Sequence, residues 1–181
     1  MGRHYAAGMA SIVITAIGDD RAGLVEVLSG AIAQHGGNWD RSHMAELAGK
    51  FAGVVLVTIA DDHAEALIAD LDAIEARGLL DITAERAEIE PGGGEAQQVS
   101  LELVGQDHPG IVHEVSAVLS RLGVSIEELE TEVGPAPQEG NLFTAHALLE
   151  VPADQTVDSV QAALEEVALD LMVDLSVSGA S

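Results

Sequence analysis

A fourteen-residue pattern occurs twice in this chain, the copies 87 positions apart. The first runs from Ile12 to Val25 and reads IVITAIGDDRAGLV; the second runs from Val99 to Val112 and reads VSLELVGQDHPGIV. In each, a β-prone run stops at a glycine, a short turn built on Asp and ending in Gly follows, and an apolar helical pattern begins at once. A chain of 181 residues that repeats itself at this spacing is two small domains of roughly 85–90 residues each, not one large one. Domains of that size bury modest cores, which predicts that the halves, or two chains, pack on one another.

The duplication extends beyond the turn. Leu24, Leu28, Ala31 and Ile32 share one face of a helix that stops at Gly36-Gly37; Ile111, Val115, Val118 and Leu119 repeat it, with a stop at Gly123. Strands are predicted at 11–17, 38–47, 51–60 and 80–89, and again at 99–105, 125–133, 142–151 and 169–177. A second helix in each half is carried by Leu67, Ile68, Leu71 and Ile74 and by Val160, Leu164 and Val167. The offset has grown to about 93 by then, which places an insertion in the polar connection Gly134 to Gly140. Residues 1–10 are an N-terminal extension in this reading, 11–90 the first domain, 91–98 a Gly-rich linker and 99–178 the second domain. The order strand, helix, strand, strand, helix, strand, twice, is an α+β fold of two tandem ferredoxin-like βαββαβ units. Each has an antiparallel four-stranded sheet with both helices on one face.

Charge narrows the function. There are 31 acidic residues against 7 Lys and Arg, a formal net charge of −24. Nucleic-acid binding needs clustered cations that displace counterions; here Lys50 is the sole lysine and the arginines are scattered, so direct nucleic-acid contact is not expected. The acidity reads as a solvated surface or as a face that docks a basic protein. No apolar run approaches the roughly 20 residues of a membrane span, no cysteine is present, and a cytoplasmic location is expected.

Catalytic patterns are not found. His113-Glu114 opens like a zinc-protease helix, but Ala117 stands where the second metal ligand belongs. The seven histidines have no ligand spacing, and Gly92-Gly93-Gly94 does not follow a strand or open a helix. No enzyme, metal or cofactor is expected. The candidates that remain are the two turns, Asp20, Arg21, Ala22 and Gly23 in the first half and Asp107, His108, Pro109 and Gly110 in the second. Either each Asp simply caps the coming helix, or the free N–H groups there receive an anion such as a carboxylate. Asn38, expected near the same end of the neighbouring strand, is either a turn amide or a contact for an amine or carboxylate; Ser125 takes its place in the second half. Trp39 is expected to anchor the core.

These residues resemble the ACT domain, the small regulatory module of amino-acid metabolism. The family pattern Gly-x-Asp-Arg-Pro-Gly-(Leu/Ile)-Val, with a Gly-x-Asn/Ser-Ile exit from the helix, is matched by Gly18 to Val25 with Gly36 to Trp39, and by Gly105 to Val112 with Gly123 to Ile126. Two such modules, with Phe51-Ala52-Gly53 leading the third strand, look most like the glycine cleavage system transcriptional repressors; the formyltetrahydrofolate deformylases carry a similar opening module. The resemblance implies a non-enzymatic homodimer that binds a small amino acid, glycine or serine first, at interfaces between modules. It also implies action through a transcriptional activator protein and not on DNA. Ala22 replaces the family's Pro, His108 its Arg and Ser125 its Asn, so the two sites are not equivalent.

Overall fold

The computed structural model describes residues 8–88, 96–137 and 140–179. The chain divides into two compact units between Glu90 and Pro91. Unit 1 contains β1 (Met9–Asp19), α1 (Leu24–Gln34), β2 (Asn38–Leu47), β3 (Lys50–Ala60), a single 3-10 turn at Asp61–His63, α2 (Ala64–Glu75) and β4 (Asp81–Arg86). Unit 2 contains β5 (Gln97–Gln106), α3 (Ile111–Arg121), β6 (Ser125–Pro135), β7 (Asn141–Val151), α4 (Val157–Leu171) and β8 (Val173–Gly179). The sheets run β2-β3-β1-β4 and β6-β7-β5-β8, and every strand pair is antiparallel. Both units are ferredoxin-like βαββαβ folds with the helices on one sheet face, as the repeat predicts.

Alternation explains why the helices sit on that face. Ile12, Ile14 and Ala16 of β1 and Val55, Val57 and Ile59 of β3 are buried, while the residues between them are more open. Leu28 and Ile32 of α1 and Leu67 and Leu71 of α2 close over this row, none more than 2% exposed. Each such side chain contributes about 1.5–3 kcal/mol on burial. Trp39 packs against this core only half-buried, so it flanks the core more than it anchors it. In unit 2 the corresponding core is filled differently: Ala147 of β7 stands where Val55 does and Val115 where Leu28 does, both smaller, while Ala145 stands where Gly53 does and Leu103 where Ala16 does, both larger. Its buried side chains form two clusters where unit 1 has one.

Several boundaries differ from the sequence reading. β1 begins at Met9, with Ala10 buried, so the strand takes in the last two residues assigned to the extension; residues 1–7 lie outside the described residues. Of the linker, 91–95 lie outside the described residues, and Gln97 and Gln98 belong to β5. β4 spans Asp81–Arg86, inside the predicted 80–89, whose last position is not described. The predicted connection 134–140 loses Gly134 and Pro135 to β6, while 138–139 are outside the described residues. The largest shift is at the last strand: Leu169 to Leu171 extend α4, and β8 starts at Val173. Val160, Leu164 and Ala168 continue the buried helical row. A capping box starts the helix, Thr156 and Ser159 exchanging side-chain-to-backbone bonds of 3.2 Å. Met172, in the left-handed region, ends it.

Gly18 and Gly105, which close the repeated strands, have a packing role. A Cβ on Gly18 would sit 2.7 Å from the Leu79 carbonyl oxygen, and one on Gly105 would sit 2.8 Å from the Val173 Cβ. The chain entering the last strand of each unit crosses there at backbone distance.

Candidate functional site

The turn after β1 holds Asp20, Arg21, Ala22 and Gly23, all exposed. The Asp20 N–H donates to the Gly49 carbonyl at 2.9 Å, tying the turn to the tip of the β2–β3 hairpin. The helix is entered through Gly23 at φ 95°, and no side chain caps α1. Unit 2 does the same: Asp107 N–H donates to Asn141 at 2.9 Å, Gly110 stands at φ 107°, and α3 has no side-chain cap. Of the two readings of Asp20 and Asp107, the capping one does not hold. Glycine in the left-handed conformation makes the entry, and the first-turn N–H groups of α1 and α3 keep no side-chain partner.

The surroundings of the two turns differ. Lys50, opposite Asp19 in the β1–β3 register, hydrogen-bonds its carboxylate. That bond and the Lys50 charge hold the Asp19 carboxyl below the usual carboxylate range, with Arg21 adding a smaller pull. Two of the chain's seven Lys and Arg thus lie in or beside this turn, one of them paired with Asp19. At the matching places in unit 2 are Leu142 and His108. His108 is half-buried and turned inward: Nε2 lies 3.1 Å from the Leu171 carbonyl oxygen at the end of α4, and Nδ1 lies 3.2 Å from its neighbour Pro109's oxygen. In place of a solvent-facing cation, unit 2 has a ring that fastens the turn to α4.

Asn38 is not at the turn end. It pairs with Thr58, which pairs with Ser11, eight residues back along β1 from Asp19. At 3.2–3.4 Å per residue that is about 27 Å. The reason is topological: α1 runs back along β1, so the strand that follows it starts at the opposite end. Ser125 sits likewise opposite Glu150 and, through it, Gln98. Within a unit the structure brings the four turn residues together and leaves Asn38 or Ser125 at the far end.

Asn38 instead belongs to a local cluster that sequence reasoning missed. Its amide donates to Asp40 Oδ1, and the Thr58 hydroxyl donates to Asp40 Oδ2. Asp40 is the extra residue of a β-bulge between Trp39 and Arg41. A bulge is invisible to alternation rules; the only trace in the sequence is an Asp two residues beyond Asn38.

An apolar hollow of about 30 Å³ lies in unit 2 among Leu103, Ile111, Val115, Phe143 and Ala147. Its lining offers almost no polar surface to pair with a carboxylate or an ammonium. Among the described residues no group of three or more His, Asp or Glu is placed to hold a metal, and no helix is long and apolar enough to cross a membrane.

Residues 10–84 match a family profile for the ACT domain and residues 93–168 match another. The chain is a tandem ACT-domain protein. ACT domains are regulatory, non-catalytic modules. A crystal structure of a protein of unknown function from Galdieria sulphuraria is 32% identical over 96% of this chain and 99% of its own, with a TM-score of 0.83. A protein provisionally described as a glycine cleavage system transcriptional repressor is 17% identical over 94% of this chain and 96% of its own, with a TM-score of 0.67. The latter likeness is one of fold. No curated protein matches the chain at a significant level.

Proposed function

We propose that this tandem ACT protein is a cytoplasmic sensor of a small amino acid, glycine or serine, that modulates a transcriptional activator by protein–protein contact. The carrying observation is the N-terminus of α1: without a side-chain cap, entered through Gly23, and preceded by Arg21 in a chain of net charge −24. Backbone N–H groups and the Arg21 guanidinium form a seat for a carboxylate, Lys50 being paired with Asp19 beside it. The other end of a small amino acid falls to Asn38. Since Asn38 lies about 27 Å from the turn of its own unit, the reading takes the turn from one copy of the chain and Asn38 from another, in a homodimer. The ligand then shifts the packing of the copies by its differential affinity for the two arrangements. The relative described as a repressor supports the link to transcription, and the scarcity of Lys and Arg supports an indirect one.

Unit 2 favours a second role. With His108 fastened to α4, Leu142 in place of Lys50 and Ser125 in place of Asn38, its turn is a ligand-independent docking module in this proposal, and Asp107, Pro109 and Gly110 shape the helix entry only.

A thermal-shift series with the twenty amino acids, one at a time, tests the reading. An amino acid at 100 times its dissociation constant stabilises by about 2.7 kcal/mol. A selective rise in the midpoint supports a sensor; a flat series against the wild-type chain refutes it and leaves the docking module.

A further inference from the structure

Resting on the reading that the Asn38 end of unit 1 receives a small amino acid, we infer that Asp40 is the residue that selects the ligand's ammonium group. The bulge places Asp40 out of register: Trp39 pairs with Val57 and Arg41 with Leu56, and the residue between them has no partner across β3. Bulges re-aim side chains in this way beside functional sites. Here the side chain is aimed at Asn38 and Thr58, which hydrogen-bond its two oxygens, one each. Asp40 and Thr58 are half-buried and Asn38 is exposed, so the carboxylate is held at the rim of the sheet, within reach of solvent.

The chemistry left over after those two bonds is one-sided. Each carboxylate oxygen retains acceptor capacity, and both donors are neutral, so the bonds do not cancel the charge. The Asn38 amide nitrogen gives one of its two hydrogens to Asp40, and its oxygen stays available to accept from a ligand. Two carboxylate oxygens and an amide oxygen make an acceptor set, and an ammonium brings three donors and the opposite charge. A hydroxyl in its place brings one donor and no charge. The arrangement therefore separates an amino acid from the 2-hydroxy acid of the same shape.

Unit 2 shows what the arrangement depends on. It has the same bulge, between Ile126 and Glu128, with Glu127 as the extra residue. Glu150, however, stands where Thr58 does, opposite Ser125. A carboxylate has no proton to donate to a second carboxylate, so the hydroxyl that orients Asp40 has no counterpart, and Ser125, Glu127 and Glu150 are all exposed. Ammonium selection belongs to unit 1 alone.

The test uses the full chain and titrates wild type, Asp40→Asn, Thr58→Val and Glu127→Gln with each of the twenty amino acids by thermal shift. Dissociation constants follow for those that bind, together with their 2-hydroxy counterparts (glycolate for glycine, glycerate for serine). The expected result is that Asp40→Asn weakens amino-acid binding by about tenfold to hundredfold and weakens the hydroxy acid far less. The preference for the ammonium then collapses, while Glu127→Gln changes nothing. Thr58→Val gives a smaller loss of the same kind and stands in if Asp40→Asn does not fold. Equal loss for amino acid and hydroxy acid, or no loss, overturns the assignment to Asp40 and leaves the sensor reading intact. Absence of any amino-acid binding to wild type removes the sensor reading itself, and this inference with it.

Discussion

Two glycines close together at the start of the first module provide a test in which only backbone conformation differs. Gly23 and Gly30 both have open space where a Cβ would be, with no heavy atom within 4 Å. Gly23, however, stands at φ 95°, ψ −3°, while Gly30 is inside α1 with no positive φ. An alanine forced into the left-handed region costs about 1–2 kcal/mol, and nothing new is gained at Gly23 by way of contact. At Gly30 the same methyl group reduces the freedom of the unfolded chain and contributes about 0.5–1 kcal/mol of stability. Since a kcal/mol moves the midpoint of a domain this size by about 4–8 °C, Gly23→Ala should lower the melting transition of unit 1 and Gly30→Ala should raise it. Circular dichroism melts of the two variants without ligand measure the difference directly. If both variants shift in the same direction, the claim that α1 is entered through an obligatory left-handed residue is wrong.

Leu67→Ala, at a fully buried position of α2 facing the sheet, should destabilise unit 1 by about 3–5 kcal/mol in urea unfolding; a loss below 1 kcal/mol would show that the helix is not seated as described. Thr156→Ala breaks the capping box of α4 and should cost unit 2 about 1 kcal/mol by the same assay, with Thr156→Ser nearly neutral. Lys50→Met should bring the Asp19 carboxyl back up toward the ordinary range in a carboxyl-detected NMR titration. Because its folded pKa is depressed, the pair stabilises the fold above the unfolded carboxylate pKa and loses that effect as pH falls through the folded value. The variant should therefore show a flatter stability profile in that acid window, and an unchanged Asp19 titration would remove Lys50 as its cause.

The fold was legible because two periodicities alternate cleanly and the whole pattern occurs twice. Leu24, Leu28, Ala31 and Ile32 are read as one helical face and are the buried residues of α1. The end of α4 was not legible, since Ala168 to Val173 is apolar apart from Asp170 and suits strand and helix alike, and only the continued burial row and the left-handed Met172 settle it. The turns were found by their repetition, and their chemistry was left between two readings: Asp20 offers a cap by type, while the backbone enters through Gly23 and no side chain caps the helix. Asn38 was misplaced for want of topology, because adjacency to a helix stop says nothing about which end of the sheet that stop reaches. Asp40 and Thr58 come together across a bulge and two strands, and no local pattern in the chain announces such a meeting.

The most direct measurement is a two-dimensional ¹H–¹⁵N spectrum of the full chain, recorded with and without an equimolar mixture of the twenty amino acids. The backbone amides of Leu24 and Val25 and the side-chain amide of Asn38 should move, while those of Ile111 and Val112 at the start of α3 stay in place. A spectrum that does not respond, or one whose changes are confined to unit 2, would contradict the assignment of the sensor to unit 1.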